Sequence, residues 1–316
     1  MKKYIVMNNI GFMQGRLVDK VKNNIQFFPD KDWIQELHIA EKENFKLMEW
    51  TINYENIKKN PFFTGNKKLL KKILDFKRIK IKTVTCDFFM QRPFFKKKYS
   101  KKKIIYINDL LKIIKNSNKM NIKYLILPLV DNSSINSLKE ENELIQVLKK
   151  KIFPKLYKLK ILFETDYNPT DVLTFIKKFK SNKVGINYDT GNSASLNYKI
   201  NDEKKYFQYV KNIHIKDRLK YGKTIKLGKG NWDYISFFKL IKKLNYKGFF
   251  ILQTARAKKK QHINIFSVVN KIMHLHFFRM HLIFSNLSKN SVNSLVLVHE
   301  NIRFLLHIQC LSKYPI

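Results

Sequence analysis

KILFETDYNPTDVLTFIKKFKSNKVGINYDTGN, residues 160–192, contains the repeating unit from which the fold can be read. An apolar run ends in Glu164, and Asn168-Pro169-Thr170-Asp171 then offers a helix start, with asparagine at the cap and proline in the first turn. A second apolar run, VGINYD (184–189), closes the unit at Asp189. Such near-continuous apolar runs mark strands buried on both faces of a parallel sheet covered by helices. Outward from this unit the same kind of run recurs as IGFM (10–13), KLMEW (46–50), KTVTCDF (82–88), KYLILPLV (123–130), NIHIKD (212–217) and GFFILQT (248–254). Between them lie segments of helical periodicity: DKDWIQELHIAEKENF (30–45), NKKLLKKILDFKR (66–78), INDLLKIIKNSNKM (107–120) and DYISFFKLIKKLNY (233–246). Asp30 or Asp32 is placed to cap the first of these, and Lys247-Gly248 to stop the last. Eight strand runs favour an α/β fold closed as a (β/α)8 barrel over an open sheet.

Four of the runs end in a residue able to hold a divalent cation: Glu164, Asp189, His214 and Gln253. The first two intervals are 25 residues each and the third is 39, room for one strand, one loop and one helix per step. Residues so spaced converge where parallel strands finish at a common face, and the active sites of βα barrels sit at that carboxyl end. Two carboxylates, an imidazole and an amide oxygen suit Mn²⁺, Mg²⁺, Co²⁺ or Zn²⁺. They leave positions open for two oxygens of a hydroxy-carbonyl substrate. A cation there polarises the carbonyl and stabilises an enediolate, with a neighbouring carboxylate as base.

Length and charge set outer bounds. Barrels of this kind use roughly 250 residues as one unit, so the 316-residue chain divides into a barrel over 1–265 and a C-terminal extension over 266–316. The formal net charge of +39 suggests an anionic partner, yet only seven of the 63 basic residues are Arg, the better base and phosphate fork. The Lys excess accompanies abundant Asn and Ile, as biased coding produces, and nucleic acid is not expected as a partner. Cys86 and Cys310 are too few for a disulfide framework, pointing to a reducing, cytoplasmic setting. The first residues lack the apolar run of a signal peptide. Residues 266–284 are apolar but interrupted by Lys271, His274, His276, Arg279 and His281, a poor membrane span. Beyond residue 262 Lys becomes scarce and five of the eight histidines accumulate. A docking extension, a basic amphipathic helix at a membrane surface and out-of-frame translation are the readings of this tail, the last preferred; irregular spacing argues against a histidine metal tract.

The strings GFMQGRL (11–17), LMEW (47–50), CDFFM (86–90), LPLVDNSS (127–134), FETD (163–166), NYDTGNSAS (187–195), HIKDR (214–218), LGKGNWDY (227–234) and ILQTAR (251–256) resemble, in order, the sugar phosphate isomerase/epimerase family with its xylose isomerase-like TIM barrel. Relatives in that family include hexulose- and xylulose-phosphate epimerases, ketose 3-epimerases, inosose dehydratases and endonuclease IV. The resemblance implies a divalent-metal-dependent isomerase or epimerase acting on a sugar or sugar phosphate. It implies Glu164, Asp189, His214 and Gln253 as metal ligands, with Glu164 also the proton-transfer group. Many epimerases of the family carry a second glutamate where this chain has Gln253. An amide can bind metal but cannot shuttle a proton, so one-base isomerisation, or epimerisation with another acid, gains ground over the two-base route. Asn192 departs from the D-x-x-H of some relatives.

Other residues frame the expected pocket. Glu49 is a candidate for sugar hydroxyls or for acid–base work, with a capping carboxylate as the alternative. Arg16, Arg218 and Arg256 follow strand ends, where guanidinium forks suit phosphate or carboxylate and surface ion pairing competes. Lys216 and Asn192 join them as substrate-binding candidates. Asp217 is expected to orient His214 or Lys216, or to pair with Arg218. Cys86, Asp87 and Asp131 are expected to line the cup without a chemical step, and His38 to be an ordinary helix-face residue. An abasic-site endonuclease on this barrel needs several histidines for a multi-zinc cluster, and only His38 precedes His214. A sugar-binding barrel without turnover is the other alternative. The expected partner is a small-molecule sugar or sugar phosphate, and homo-oligomers are compatible with the sequence.

Overall fold

The computed structural model describes residues 9–20, 26–97 and 100–255. Each of the eight apolar runs overlaps a strand: β1 (Ile10–Met13), β2 (Leu47–Thr51), β3 (Lys80–Thr85), β4 (Tyr124–Leu129), β5 (Lys160–Thr165), β6 (Val184–Asp189), β7 (Val210–Ile215) and β8 (Phe249–Leu252). All pair in parallel, and β8 returns to β1 through Ile10↔Phe250, Gly11↔Ile251 and Phe12↔Leu252, closing the barrel. The helices Trp33–Lys42, Lys67–Asp75, Lys101–Lys119 and Tyr234–Lys243 fall on the periodic segments.

Alternation along each strand sorts side chains into two environments. Outward-facing Phe12, Trp50, Val84, Leu127, Phe163, Tyr188, Ile213 and Phe250 merge with the helices into one large core. Trp50 sits with its ring 5.3 Å from Phe62, 5.5 Å from Phe28 and 5.6 Å from Trp33, while its Nε1 donates to Asn60 Oδ1 at 3.1 Å. The inward set forms two smaller clusters, Met13–Leu47–Ile251 and Tyr124–Ile126–Leu162, with Phe249 packed against both. This apolar plug fills the lower lumen. Polar side chains occupy the inward positions nearer the carboxyl ends.

Helix ends show where local chemistry decided. Asn168 Oδ1 accepts from the backbone N–H groups of Thr170 and Asp171, both at 3.1 Å, as a cap should. Asp32 occupies the cap position of the first helix without a side-chain bond, and Asp30 instead takes Lys59 Nζ at 2.5 Å. The last helix is stopped by Asn245, at φ 48°, rather than by Gly248. Gly248 serves a different constraint: a Cβ there would lie 2.1 Å from Tyr246 Oη and 2.4 Å from Lys211 O. The boundary at 265/266, the tail and Arg256 lie outside the described residues. Among the described residues, no helix is long and apolar enough to cross a membrane.

Candidate metal centre

β5, β6 and β7 are neighbours in the barrel, so their final inward residues meet. Asp189 and His214 are register partners, and one donor atom from each of Glu164, Asp189 and His214 lies within 4.8 Å of the others, all three residues buried. The strand register shifts between Met48 and Glu49 and between Ile186 and Asn187. The skipped residues are Lys82 in β3 and Lys211 in β7, and such bulges re-aim the side chains that follow them, here Thr83 and Asn212.

The His214 ring is oriented by both nitrogens. Nε2 lies 2.7 Å from Glu49 Oε1; Nδ1 faces Glu164 Oε2 at 3.2 Å and Asp189 Oδ2 at 3.9 Å. Glu49 also accepts from Thr85 Oγ1 at 2.5 Å and from Asn212 Nδ2 at 2.9 Å. Asn212 donates as well to Asn187 Oδ1 at 2.8 Å, which turns the Asn187 amide nitrogen toward Glu164 Oε2, 2.9 Å away, and toward His214 Nδ1, 3.1 Å away. Burial opposes charge on Glu49, but His214 beside it, helped by Thr85 and Thr83, holds its carboxyl below the usual value. Burial likewise opposes a charged His214 ring, yet Glu49 and then Glu164 overcome it and raise the ring to about 10.

Asp189 divides its oxygens between two tasks. Oδ1 caps the helix Thr190–Leu196 by accepting from Gly191 N at 2.7 Å and Asn192 N at 2.9 Å, and Oδ2 takes Lys216 Nζ at 3.1 Å. Against the cost of burial, Lys216 and His214 keep its carboxyl below the ordinary range. Glu164 Oε1 accepts from Asn192 Nδ2 at 3.0 Å, and Arg218 Nη1 donates to Asn192 Oδ1 at 3.2 Å. Gln253 donates through Nε2 to Gln26 Oε1 at 2.6 Å; its Oε1 is buried and has no partner among the described residues.

These donors fit a divalent cation. Two carboxylates and an imidazole nitrogen converge, each with its other atoms committed elsewhere, the pattern by which outer partners orient metal ligands. The orphaned Gln253 oxygen is the second mark, since a buried acceptor left without a donor costs about 1–3 kcal/mol. Above them opens a cup of about 530 Å³ lined by Glu164, Gln253, Asn192, Arg16, Lys216, Arg218, Gln26, Asp87 and Asp131. Volumes of this order suit small ligands.

The structure places other expected residues elsewhere. Glu49 is fully buried beneath His214, does not line the cup, and spends both oxygens on protein donors. Asp217 neither orients His214 nor pairs with Arg218. Its carboxylate gathers the N–H groups of Gly228 and Gly230 at 2.9 Å and of Trp232 at 3.3 Å, stapling the loop that follows the short hairpin Asp217–Arg218 with Thr224–Ile225. Cys86 packs into the hydrophobic core, away from the cup. Arg16 reaches the cup with Nε donating to Thr254 O at 3.2 Å. His38 stacks edge-on against Phe76, 4.8 Å between centroids, on an exposed helix face. Asn187, Asn212, Thr85 and Gln26 escaped the sequence reading. For the two asparagines a signal existed: each stands two residues before a ligand on its strand, hence on the same inward face.

A family profile described as Xylose isomerase-like TIM barrel matches residues 37–266. No curated protein matches the sequence. Similar solved structures include an L-ribulose 3-epimerase, at TM-score 0.68 and 11% identity, covering 90% of this chain and 98% of that one. An IOLI protein with a bound zinc atom aligns at TM-score 0.63 and 14% identity, covering 84% and 96%. A xylose isomerase-like TIM barrel protein from Mycobacterium smegmatis in complex with magnesium aligns at 0.58 and 13%, covering 83% and 95%. At these identities the likeness carries the fold.

Proposed function

Because the chain belongs to the xylose isomerase-like TIM barrel family, we propose that it is a divalent-metal-dependent isomerase or epimerase acting in the cytoplasm on a sugar or sugar phosphate. The observation that supports this reading is the buried convergence of Glu164, Asp189 and His214, with Glu164 bordering an open cup. Glu164, Asp189, His214 and Gln253 are the proposed ligands of Mn²⁺, Mg²⁺, Co²⁺ or Zn²⁺. The cation supplies Lewis acidity, polarising a substrate carbonyl so that the adjacent C–H becomes acidic.

The chain's own residues do the rest. Glu164 Oε2 faces His214, leaving Oε1, held at 3.0 Å by Asn192, as the atom that takes the substrate proton and returns it. Arg16, Lys216 and Arg218 stand around the cup as partners for hydroxyl or phosphate oxygens. Glu49 acts through His214, fixing the ring from behind, rather than on the substrate. Gln253 cannot carry a proton, which favours transfer by one base over transfer by a symmetrical pair. Residues 1–265 are the proposed barrel unit and 266–316 its extension.

The test is a panel of ketoses and ketose phosphates with Mn²⁺, followed for deuterium uptake from solvent, on the full chain and on one truncated near residue 265. Turnover with exchange, abolished in Glu164→Gln, is expected. Binding of sugars without exchange would instead favour a non-catalytic barrel, and unchanged exchange in Glu164→Gln would remove Glu164 as base.

A further inference from the structure

An amide ligand poses a problem that a carboxylate does not. Glutamate offers oxygen whichever way it is rotated, whereas a glutamine turned the wrong way presents an NH₂ group to the cation and repels it. Something must fix the direction of Gln253.

The hydrogen bonds around Gln253 have a direction. Gln253 Nε2 lies 2.6 Å from Gln26 Oε1, and Gln26 Nε2 lies 2.8 Å from Asp87 Oδ2. An ionised carboxylate only accepts, so Asp87 obliges Gln26 to point its nitrogen toward it. Gln26 must then offer its oxygen to Gln253. Gln253 in turn must give its nitrogen to Gln26, which leaves its oxygen facing away from the chain, buried and without a partner among the described residues. All three residues line the cup that Glu164 borders.

We propose that Asp87 and Gln26 are positioning residues that hold the Gln253 amide oxygen-first toward the metal site. The inference rests on the metal-centre reading above and adds residues that touch neither cation nor substrate in that role. It explains how an amide can stand among carboxylate ligands. Were Asp87 protonated, its O–H could donate to Gln26 and both amides could reverse. Burial raises the Asp87 carboxyl to about 7; Gln26 opposes the rise, Glu164 adds to it, and His214 and Arg16 oppose it. The chain therefore has a defined direction on the alkaline side of neutrality.

The test uses Mn²⁺ alone as probe, titrated calorimetrically into the full-length protein at pH 8. Gln26→Leu and Asp87→Leu should each weaken Mn²⁺ binding by about tenfold, the scale seen when outer partners of metal ligands are removed. In a Gln253→Glu background, where oxygen faces the cation in either orientation, Gln26→Leu should change the affinity by less than about twofold, a coupling that a double-mutant cycle isolates. Unchanged affinity in Gln26→Leu overturns the proposal. So does an equal loss in both backgrounds, which would report general damage to packing. A wild-type protein that binds no Mn²⁺ overturns the metal-centre reading itself, an outcome separate from both.

Discussion

Loading the site with metal must expel a proton, and the structure gives the size of that competition. His214 is raised to about 10 because Glu49 and Glu164, against the cost of burial, favour the imidazolium. Nδ1, the nitrogen facing Glu164 and Asp189, must lose its proton before it can hold a cation. At pH 7 the ring is about three pH units below its midpoint, a handicap of about 4 kcal/mol at 1.36 kcal/mol per unit. The Kd for Mn²⁺ should therefore fall about tenfold per pH unit between pH 7 and 9, with about one proton released per ion. Calorimetry in buffers of different ionisation enthalpy counts that proton directly. Glu49→Gln removes the carboxylate that contributes most to keeping the ring charged, so the pH slope should flatten and proton release diminish even as affinity drops.

The same shift sets the stability of the metal-free protein. A histidine whose folded pKa exceeds its unfolded value contributes stability that is complete below about pH 6.5 and lost as the pH rises through 10, at most about 5 kcal/mol here. Mn²⁺-saturated protein should not lose it, because the ring is neutral and ligated throughout. A Kd independent of pH from 7 to 9 with no proton released would refute the reasoning, since Nδ1 would then be either unprotonated or not a ligand.

Other outcomes follow from single residues. Asp217→Ala deprives the N–H groups of Gly230 and Trp232 of their acceptor and leaves that of Gly228 with Tyr234 Oη alone, so at about 1 kcal/mol or more for each lost bond it should cost about 2 kcal/mol in denaturant unfolding and speed amide exchange at Gly228 and Gly230. Unchanged exchange there would show that the loop is held by other contacts. Burial pushes the Cys86 thiol well above its ordinary value, so peptide mass spectrometry should find it unalkylated by iodoacetamide in the native protein at pH 8 and alkylated in urea. Rapid native labelling would contradict its place in the core.

The barrel was legible because its strands are short, apolar and evenly spaced, and because the strand ends fix where any site must lie. Glu164, Asp189 and His214 were legible for the same reason: convergence follows from topology. The partners of those residues were not. Glu49 meets His214 across 165 positions of sequence, and the contact exists only once the barrel has closed. Asp217 reads as a neighbour of His214 in sequence, but the strand ends at Ile215 and the chain turns into a hairpin, carrying the carboxylate into its own loop. The helix stop at Asn245 was missed because Gly248 is the more obvious breaker; its real constraint, the close approach of Tyr246 and Lys211, is tertiary.

The apolar plug formed by Met13, Leu47, Ile251, Tyr124, Ile126, Leu162 and Phe249 makes the lumen a dead end. Among the described residues, the open approach to Glu164 is then the cup above it. For the proposed isomerase, substrate entry, product exit and the exchange of protons with water would share that route, so a bound sugar would also be the stopper of its own reaction chamber. The fraction of label that the product takes from solvent would thus measure how often the mouth admits water during one turnover.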